Sequence, residues 1–279
     1  MDYTWNFKPL PPQAIVATLQ QELNISEPLA ILLAQRGVTT FQQAKDFFRP
    51  TLSQLHNPFL MKGMKEAVAR LDRALKSNET ILIYGDYDVD GTSAVSLMER
   101  YLSNFTSKLY TYVPDRYTEG YGISFQGIDY AEAQGCTLII ALDCGIKAID
   151  KVEYAKEKGI DCIIADHHRP SDQVPDAVAV LDPQQADCPY PYKELCGCGL
   201  GFKLAQAYHE YLQRPFSELM PLLDLVAVAT AADIVPMNGE NRTLMYFGLE
   251  VINEQPSAGV KALFGEHQGA ITVSDVVFK

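Results

Sequence analysis

Ile81-Leu82-Ile83-Tyr84-Gly85-Asp86-Tyr87-Asp88-Val89-Asp90-Gly91-Thr92 joins four apolar residues to a turn that carries three carboxylates. The apolar run has the length of a strand, and the glycines and aspartates after it are turn formers. The same pattern recurs twice downstream. Leu138-Ile139-Ile140-Ala141-Leu142 runs into Asp143-Cys144-Gly145, and Cys162-Ile163-Ile164-Ala165 runs into Asp166-His167-His168-Arg169. Apolar runs without alternation indicate strands buried on both faces, as in parallel sheets. Helical spacing fills the intervals at 93–102, 125–133 and 148–158, and further strands are expected at 109–113 and 177–181. The expected fold is α/β, a mostly parallel β-sheet flanked by helices.

The pattern differs before residue 63. Apolar residues at helical spacing occupy 13–23 and 28–36, Thr40 is placed to cap a third helix through Ala44 and Phe47, and Pro50 ends it. The expected division is an N-terminal helical cap, 1–62, and a second domain, 63–279, which opens on an amphipathic helix through Met64, Val68, Leu71 and Leu75. Helices are expected near its end at 202–212, 219–232 and 244–253. Apolar residues at 47% and charged residues at 21% fit a folded globular chain rather than a disordered one. No apolar run approaches the ~20 residues of a membrane helix. Met1-Asp2-Tyr3-Thr4-Trp5 lacks the basic start of a leader. Six cysteines are too sparse for a disulfide scaffold, so reduced thiols and a cytoplasmic location are expected. Lys and Arg total 23 against 35 Asp and Glu, a formal charge of −12, which argues against gripping nucleic acid by bulk charge.

Ligands of open α/β sheets bind beyond the carboxyl ends of the strands, where these acidic residues lie. Carboxylates gathered there repel one another, and a divalent cation relieves the conflict. Oxygen donors with one or two imidazoles suit Mn2+ or Mg2+ better than Zn2+. Three readings of the first motif compete. An EF-hand loop starting at Asp86 needs Glu at its twelfth position, where Leu97 stands. A haloacid-dehalogenase-like phosphatase needs its nucleophile directly after the strand, yet three residues precede Asp88, and the second strand end offers Asp143-Cys144-Gly145 instead of Ser or Thr. A two-metal phosphoesterase accommodates the whole set. Asp88 and Asp90 would each bind one ion, Asp143 would bridge them, His167 would complete the centre, and the ions would activate a water for in-line attack. A solvated acidic turn accounts for one such loop but not for three strand ends with a His pair.

At these residues the chain resembles a known family. Ala165-Asp166-His167-His168 resembles the motif that names the DHH phosphoesterases, and Tyr84-Gly85-Asp86-Tyr87-Asp88-Val89-Asp90-Gly91 resembles the first motif of their RecJ branch. Other branches usually place a His four residues before the first ligand Asp. Tyr84 stands there, which favours the RecJ branch and leaves Asp86 as a substitute ligand. Leu33-Ala34-Gln35-Arg36-Gly37 with Ala44, Phe47, Phe48 and Pro50 resembles that branch's cap. Similar resemblances lie in Val113-Pro114-Asp115-Arg116, in Glu119-Gly120-Tyr121-Gly122 and in 196–204. Asp224-Leu225-Val226-Ala227 and Ala232-Asp233-Ile234-Val235-Pro236 resemble the fourth motif.

The resemblance implies a metal-dependent phosphodiesterase with two Mn2+ or Mg2+ ions. It would degrade single-stranded DNA from 5′ to 3′ into 5′-mononucleotides, in DNA repair and recombination. The implied metal set is Asp86, Asp88, Asp90, Asp143, His167 and Asp233. Asp143, His167 and His168 would be catalytic, and Arg116, His168 and Arg169 would hold substrate. Asp224 competes with Asp233, but one helix cannot point residues nine apart at one metal, and Asp233 matches the motif better. Asp166 supports the centre, Tyr121 is either a base platform or part of a turn, and Lys147 is a surface residue. Cys196-Gly197-Cys198 has the wrong spacing for zinc.

RecJ-branch proteins continue into a second lobe and an OB-fold. This chain stops at Val276-Val277-Phe278-Lys279, where the linker to that lobe is expected, so it reads as the catalytic lobe of a larger enzyme. The expected partners are single-stranded DNA and repair proteins such as a single-strand-binding protein or a helicase, with no membrane and a monomeric state. Two alternatives stay open. One is a DHH-type enzyme on short oligonucleotides, cyclic dinucleotides or pyrophosphate, and the other is an inactive lobe that only binds partners. Two divalent ions would offset four of the twelve net negative charges, leaving strand grip to local arginines and the expected second lobe.

Overall fold

Alternation along the central strands sorts their side chains to two opposite layers. The computed structural model describes residue 4, residues 6–265 and residues 267–277. The leader and linker expectations rest partly on residues 1–3, 5, 278 and 279, which lie outside the described residues. Five strands, β1 (Thr80–Gly85), β2 (Leu109–Tyr112), β3 (Cys136–Leu142), β4 (Asp161–Ala165) and β5 (Ala179–Leu181), form one sheet in the order β2-β1-β3-β4-β5. Every pairing is parallel. The fold is the α/β class expected from the sequence.

The chain separates into two compact units, residues 1–54 and 55–279. The first holds α1 (Gln13–Leu23), α2 (Glu27–Ala34) and α3 (Phe41–Phe48) around Val16, Leu19, Ala30 and Ala44. Thr40 caps α3 as expected, its hydroxyl accepting from the Gln43 amide at 3.2 Å. Residues 55–62 belong to the second unit, where Met61 joins the core.

In the second unit the helices are α4 (Met64–Lys76), α5 (Val89–Leu102), α6 (Phe125–Ala133), α7 (Ile149–Glu157), α8 (Gly197–Tyr211), α9 (Leu223–Ala232), α10 (Gly239–Glu254), α11 (Ala258–Leu263) and α12 (Val273–Val277). Ile81, Ile83, Leu138, Ile140 and Ile163 pack toward α4, α5 and α8, while Leu82, Tyr84, Ile139 and Ile164 pack toward α6 and α7. No helix among the described residues is long and apolar enough to cross a membrane. All six cysteines are buried and free.

Three helices start earlier than their apolar periodicity indicates, among them α10, which begins at Gly239 and not at residue 244. The helix expected from residue 93 begins at Val89, because the Asp88 carboxylate caps it by accepting from the Gly91 amide at 3.0 Å. Asp90 therefore sits in a helical first turn and not in a loop. The helix expected from residue 202 begins at Gly197, with the Cys196 thiol accepting from the Gly199 amide at 3.4 Å. Glycines that read locally as a loop are helical here. The strand expected at 177–181 is shortened to Ala179–Leu181.

Behind α8 lies a buried ion pair. Lys203 Nζ is 2.7 Å from Glu240 Oε1, and both side chains are fully buried. Glu240 also accepts from the His56 amide at 2.9 Å and from Tyr190 Oη at 2.6 Å. Lys203 donates to the His56 carbonyl at 2.9 Å and to Gln206 Oε1 at 2.9 Å. Burial pushes the lysine down in pKa, and Glu240 opposes that fall. The pair ties α8 and α10 to the segments at His56 and Tyr190. Glu240→Ala would strand a buried ammonium, with an expected cost of about 3–5 kcal/mol in urea unfolding.

Candidate metal centre

The sheet order reverses direction between β1 and β3, and at such a switch point the loops leaving two neighbouring strands part and open a crevice. The turn after β1 and Asp143 after β3 both enter that crevice. Asp143 occupies the left-handed region at φ 59°, which aspartate tolerates better than most residues. Its amide donates to the Ala165 carbonyl at 2.9 Å, extending the β3–β4 ladder by one bond.

Four residues converge there. His167 Nε2 lies 3.2 Å from Asp143 Oδ1, 3.6 Å from Asp233 Oδ2 and 3.8 Å from Asp90 Oδ2. Asp143 Oδ1 and Asp233 Oδ2 are both buried, and neither accepts a well-aligned hydrogen bond. Two compact donor groups result, Asp90 with His167 and Asp233, and Asp143 with His167 and His168. Asp86 and Asp88 fall outside both groups. Asp86 is buried and accepts from the Gly122 amide at 3.3 Å, whereas Asp88 is exposed and occupied in capping α5. Asp233 ends α9 at its C-cap. Asp224 points elsewhere, accepting from the Ser257 amide at 2.7 Å and lying 3.8 Å from Arg100.

The carboxyls of the cluster share one electrostatic condition. Burial, then the charges of Asp90 and Asp88, drives the Asp143 pKa far up. Burial raises Asp90 as well, opposed by the amides at the start of α8 and by His167. Asp233 is raised by burial and by Asp90 and Asp88, against His167 and His168. Asp90 is held by the N-terminus of α8, accepting from the Gly197 amide at 2.6 Å and the Cys198 amide at 2.8 Å. No side chain fits at Gly197, since a Cβ there would lie 2.4 Å from the Asp143 Cβ. Gly91 is equally constrained, with a Cβ position 2.5 Å from the Asp86 carbonyl oxygen.

His168 is built differently. Its Nδ1 donates to Asp166 Oδ1 at 2.7 Å, and that bond raises the imidazole pKa against the effect of burial. Burial pushes Asp166 up, but the His168 bond and the Ile146 amide at 2.8 Å outweigh it and hold it below the usual carboxylate range. Tyr121 Oη donates to the Asp143 carbonyl at 3.1 Å and lies 3.1 Å from His168 Nδ1. Arg116 is exposed, with its guanidinium 4.9 Å above the Tyr87 ring. Tyr87 in turn meets Tyr121 edge-on at 6.5 Å. Arg169 is exposed.

The sequence reading missed Asp182. It follows β5 as the other acids follow their strands, so the same rule applied to 177–181 finds it. The carboxyl is fully buried, and one oxygen accepts from the Gln184 amide at 2.7 Å while the other is unpartnered. Burial pushes its pKa up to about 6. Gln184 Nε2 donates to the His167 carbonyl at 2.6 Å, which ties this turn to the centre.

Comparison with known proteins bears on the same residues. The model of the DHH family, N-terminal domain, matches residues 80–230. The chain is 41% identical to the single-stranded-DNA-specific exonuclease RecJ of Bacillus subtilis, over 91% of this chain and 31% of that protein. It thus spans about a third of that relative's length. The structure of Thermus thermophilus RecJ in complex with Mn2+ superposes with a TM-score of 0.81 at 28% identity, covering 96% of this chain and 38% of that one. The same protein with Mg2+ gives 0.70 at 26% identity, covering 96% and 35%. The family match runs from β1 into α9, takes in the ends of β1, β3 and β4 and stops short of Asp233; it covers more than half of the chain, and this protein therefore belongs to the DHH family.

Proposed function

We propose that this chain is the metal-binding lobe of a RecJ-like nuclease that hydrolyses single-stranded DNA from its 5′ end to 5′-mononucleotides. The observation that carries this reading is the pair of orphaned oxygens, Asp143 Oδ1 and Asp233 Oδ2, facing one imidazole nitrogen at the β1/β3 crevice. Buried acceptors without donors fit a cation, and oxygen donors with imidazole fit Mn2+ or Mg2+. The Mn2+ and Mg2+ complexes of the Thermus protein support that choice. Asp90, Asp143, His167 and Asp233 would hold the ions, with Asp143 shared between two and Asp88 and Asp86 completing the acidic wall. Bound divalent ions would neutralise this wall and ease deprotonation of the attacking water.

The chain's own residues supply the rest. Asp166 takes the His168 Nδ1 hydrogen bond and favours the protonated ring, which would turn the other ring nitrogen toward a phosphate oxygen as a donor. Arg116, stacked on Tyr87, offers a guanidinium of restricted orientation to a second phosphate. Arg169 stands next to the His pair with the same chemistry. We assign the cap expected at 1–62 to the compact unit of residues 1–54, and the catalytic domain expected at 63–279 to residues 55–279. We further place the protein in the cytoplasm as a monomer, in keeping with its free buried thiols. A single-strand-binding protein or a helicase would supply its strand.

The test is mononucleotide release in Mn2+ from strands blocked at one end or the other. Blocking the 5′ end should stop release and blocking the 3′ end should not. Preference for dinucleotides over long strands would overturn the reading. Asp143→Asn should lower activity by more than the about 10–100-fold typical for losing a supporting hydrogen-bond partner, while Asp224→Asn leaves Mn2+ affinity unchanged. Gly197→Ala removes no ligand, yet it should weaken Mn2+ binding by about tenfold or more in calorimetry, because its Cβ displaces Asp143.

The raised carboxyls also set a pH dependence. A carboxyl whose folded pKa exceeds its unfolded value contributes stability at low pH that is lost as pH rises. Chelated protein should therefore melt lower as pH increases from about 6 to about 8, and Mn2+ should reduce that slope to the part that the raised His168 imidazole contributes. A slope undiminished by Mn2+ would count against cation binding at these carboxyls.

A further inference from the structure

Left-handed residues close several helices of this protein, and one of them is β-branched. Asn24 after α1, Asn78 after α4, Gly135 after α6, Gly159 after α7 and Gln213 after α8 all have positive φ. After α9 the corresponding residue is Ile234, at φ 57°. A β-branched side chain is poorly suited to this conformation, because its Cβ substituents crowd the backbone. Packing does not compensate, since Ile234 is 81% exposed. Glycine or asparagine would make the same turn with less strain, so the side chain itself is what isoleucine adds. Strain of this kind concentrates at functional sites. Ile234 directly follows Asp233, whose Oδ2 is 3.6 Å from His167 Nε2. Other exposed apolar groups flank the carboxylates. Val89, between Asp88 and Asp90, is 46% exposed, and Tyr121, bonded to the Asp143 carbonyl, is 53% exposed.

We propose that Ile234 is a substrate-contact residue whose side chain packs on the sugar or base adjoining the phosphate at the carboxylate cluster. An alkyl group recognises no phosphate oxygen, so its presence at the rim specifies a nucleotide ester over pyrophosphate. This rests on the nuclease reading above.

The test measures binding of thymidine 5′-monophosphate and of inorganic phosphate to the Mn2+-loaded chain by calorimetry, together with Tm. Ile234→Gly should raise Tm by about 2–4 °C through relief of strain. The same variant should weaken thymidine monophosphate by about five- to tenfold with phosphate unchanged. Ile234→Val, which keeps the contact, should retain wild-type values for both ligands. Unchanged thymidine monophosphate affinity in Ile234→Gly overturns the proposal, as does equal weakening of both ligands, which would mean that Ile234 only places Asp233. If wild-type protein binds neither ligand in Mn2+, the nuclease reading itself fails and takes this inference with it.

Discussion

Carboxylates crowded at the end of a parallel sheet repel one another, and the surrounding architecture answers that repulsion. Asp90 is buried, yet its two oxygens meet the Gly197 and Cys198 amides at the start of α8, where the backbone dipole favours an anion. That contact requires α8 to approach without a side chain at position 197 and requires α5 to begin early enough to carry Asp90 in its first turn. Asp88 performs the second task by capping α5. The acidic motif thus does structural and electrostatic work with adjacent residues.

Not every carboxylate is neutralised in this way. Asp166 is satisfied by His168 and the Ile146 amide, and the bond between the two side chains shifts both pKa values toward the ion pair. Asp143 and Asp233 each keep a buried oxygen without a donor. The contrast divides the cluster into a self-contained pair and an unsatisfied set that calls for an external cation. Such a set costs folding stability in the absence of metal, and Asp143 and Ile234 add backbone strain to that cost. The Lys203–Glu240 pair lies elsewhere and is fully satisfied, so it belongs to packing.

Much of the fold was legible because buried parallel strands are nearly continuous apolar runs with turn residues at their ends. The runs at 81–84, 138–142 and 162–165 coincide with β1, β3 and β4. Helix starts were less legible. Asp88 and Cys196 act as caps only once the chain has turned, and Gly197 reads as a helix breaker until Asp90 arrives to bind its amide. For the site, the strand-end rule singled out Asp86, Asp88, Asp90, Asp143, Asp166 and the His pair, of which Asp90, Asp143 and the His pair fall in the two compact donor groups. It was not carried to β5, and Asp182 escaped.

The sequence by itself determined the class of fold and the chemistry of its candidate site, because strand periodicity and strand-end carboxylates are local and repeat along the chain. Only the tertiary structure decided which carboxylates meet. Asp143 and Asp233 are ninety residues apart, and their shared neighbour His167 is brought between them by the strand order and by the end of α9. Asp86 and Asp88, nearer to Asp90 in sequence, lie outside the two compact groups. Distance along the chain carries no information about convergence at a switch point, because the sheet order, and not the chain order, sets which strand ends are neighbours.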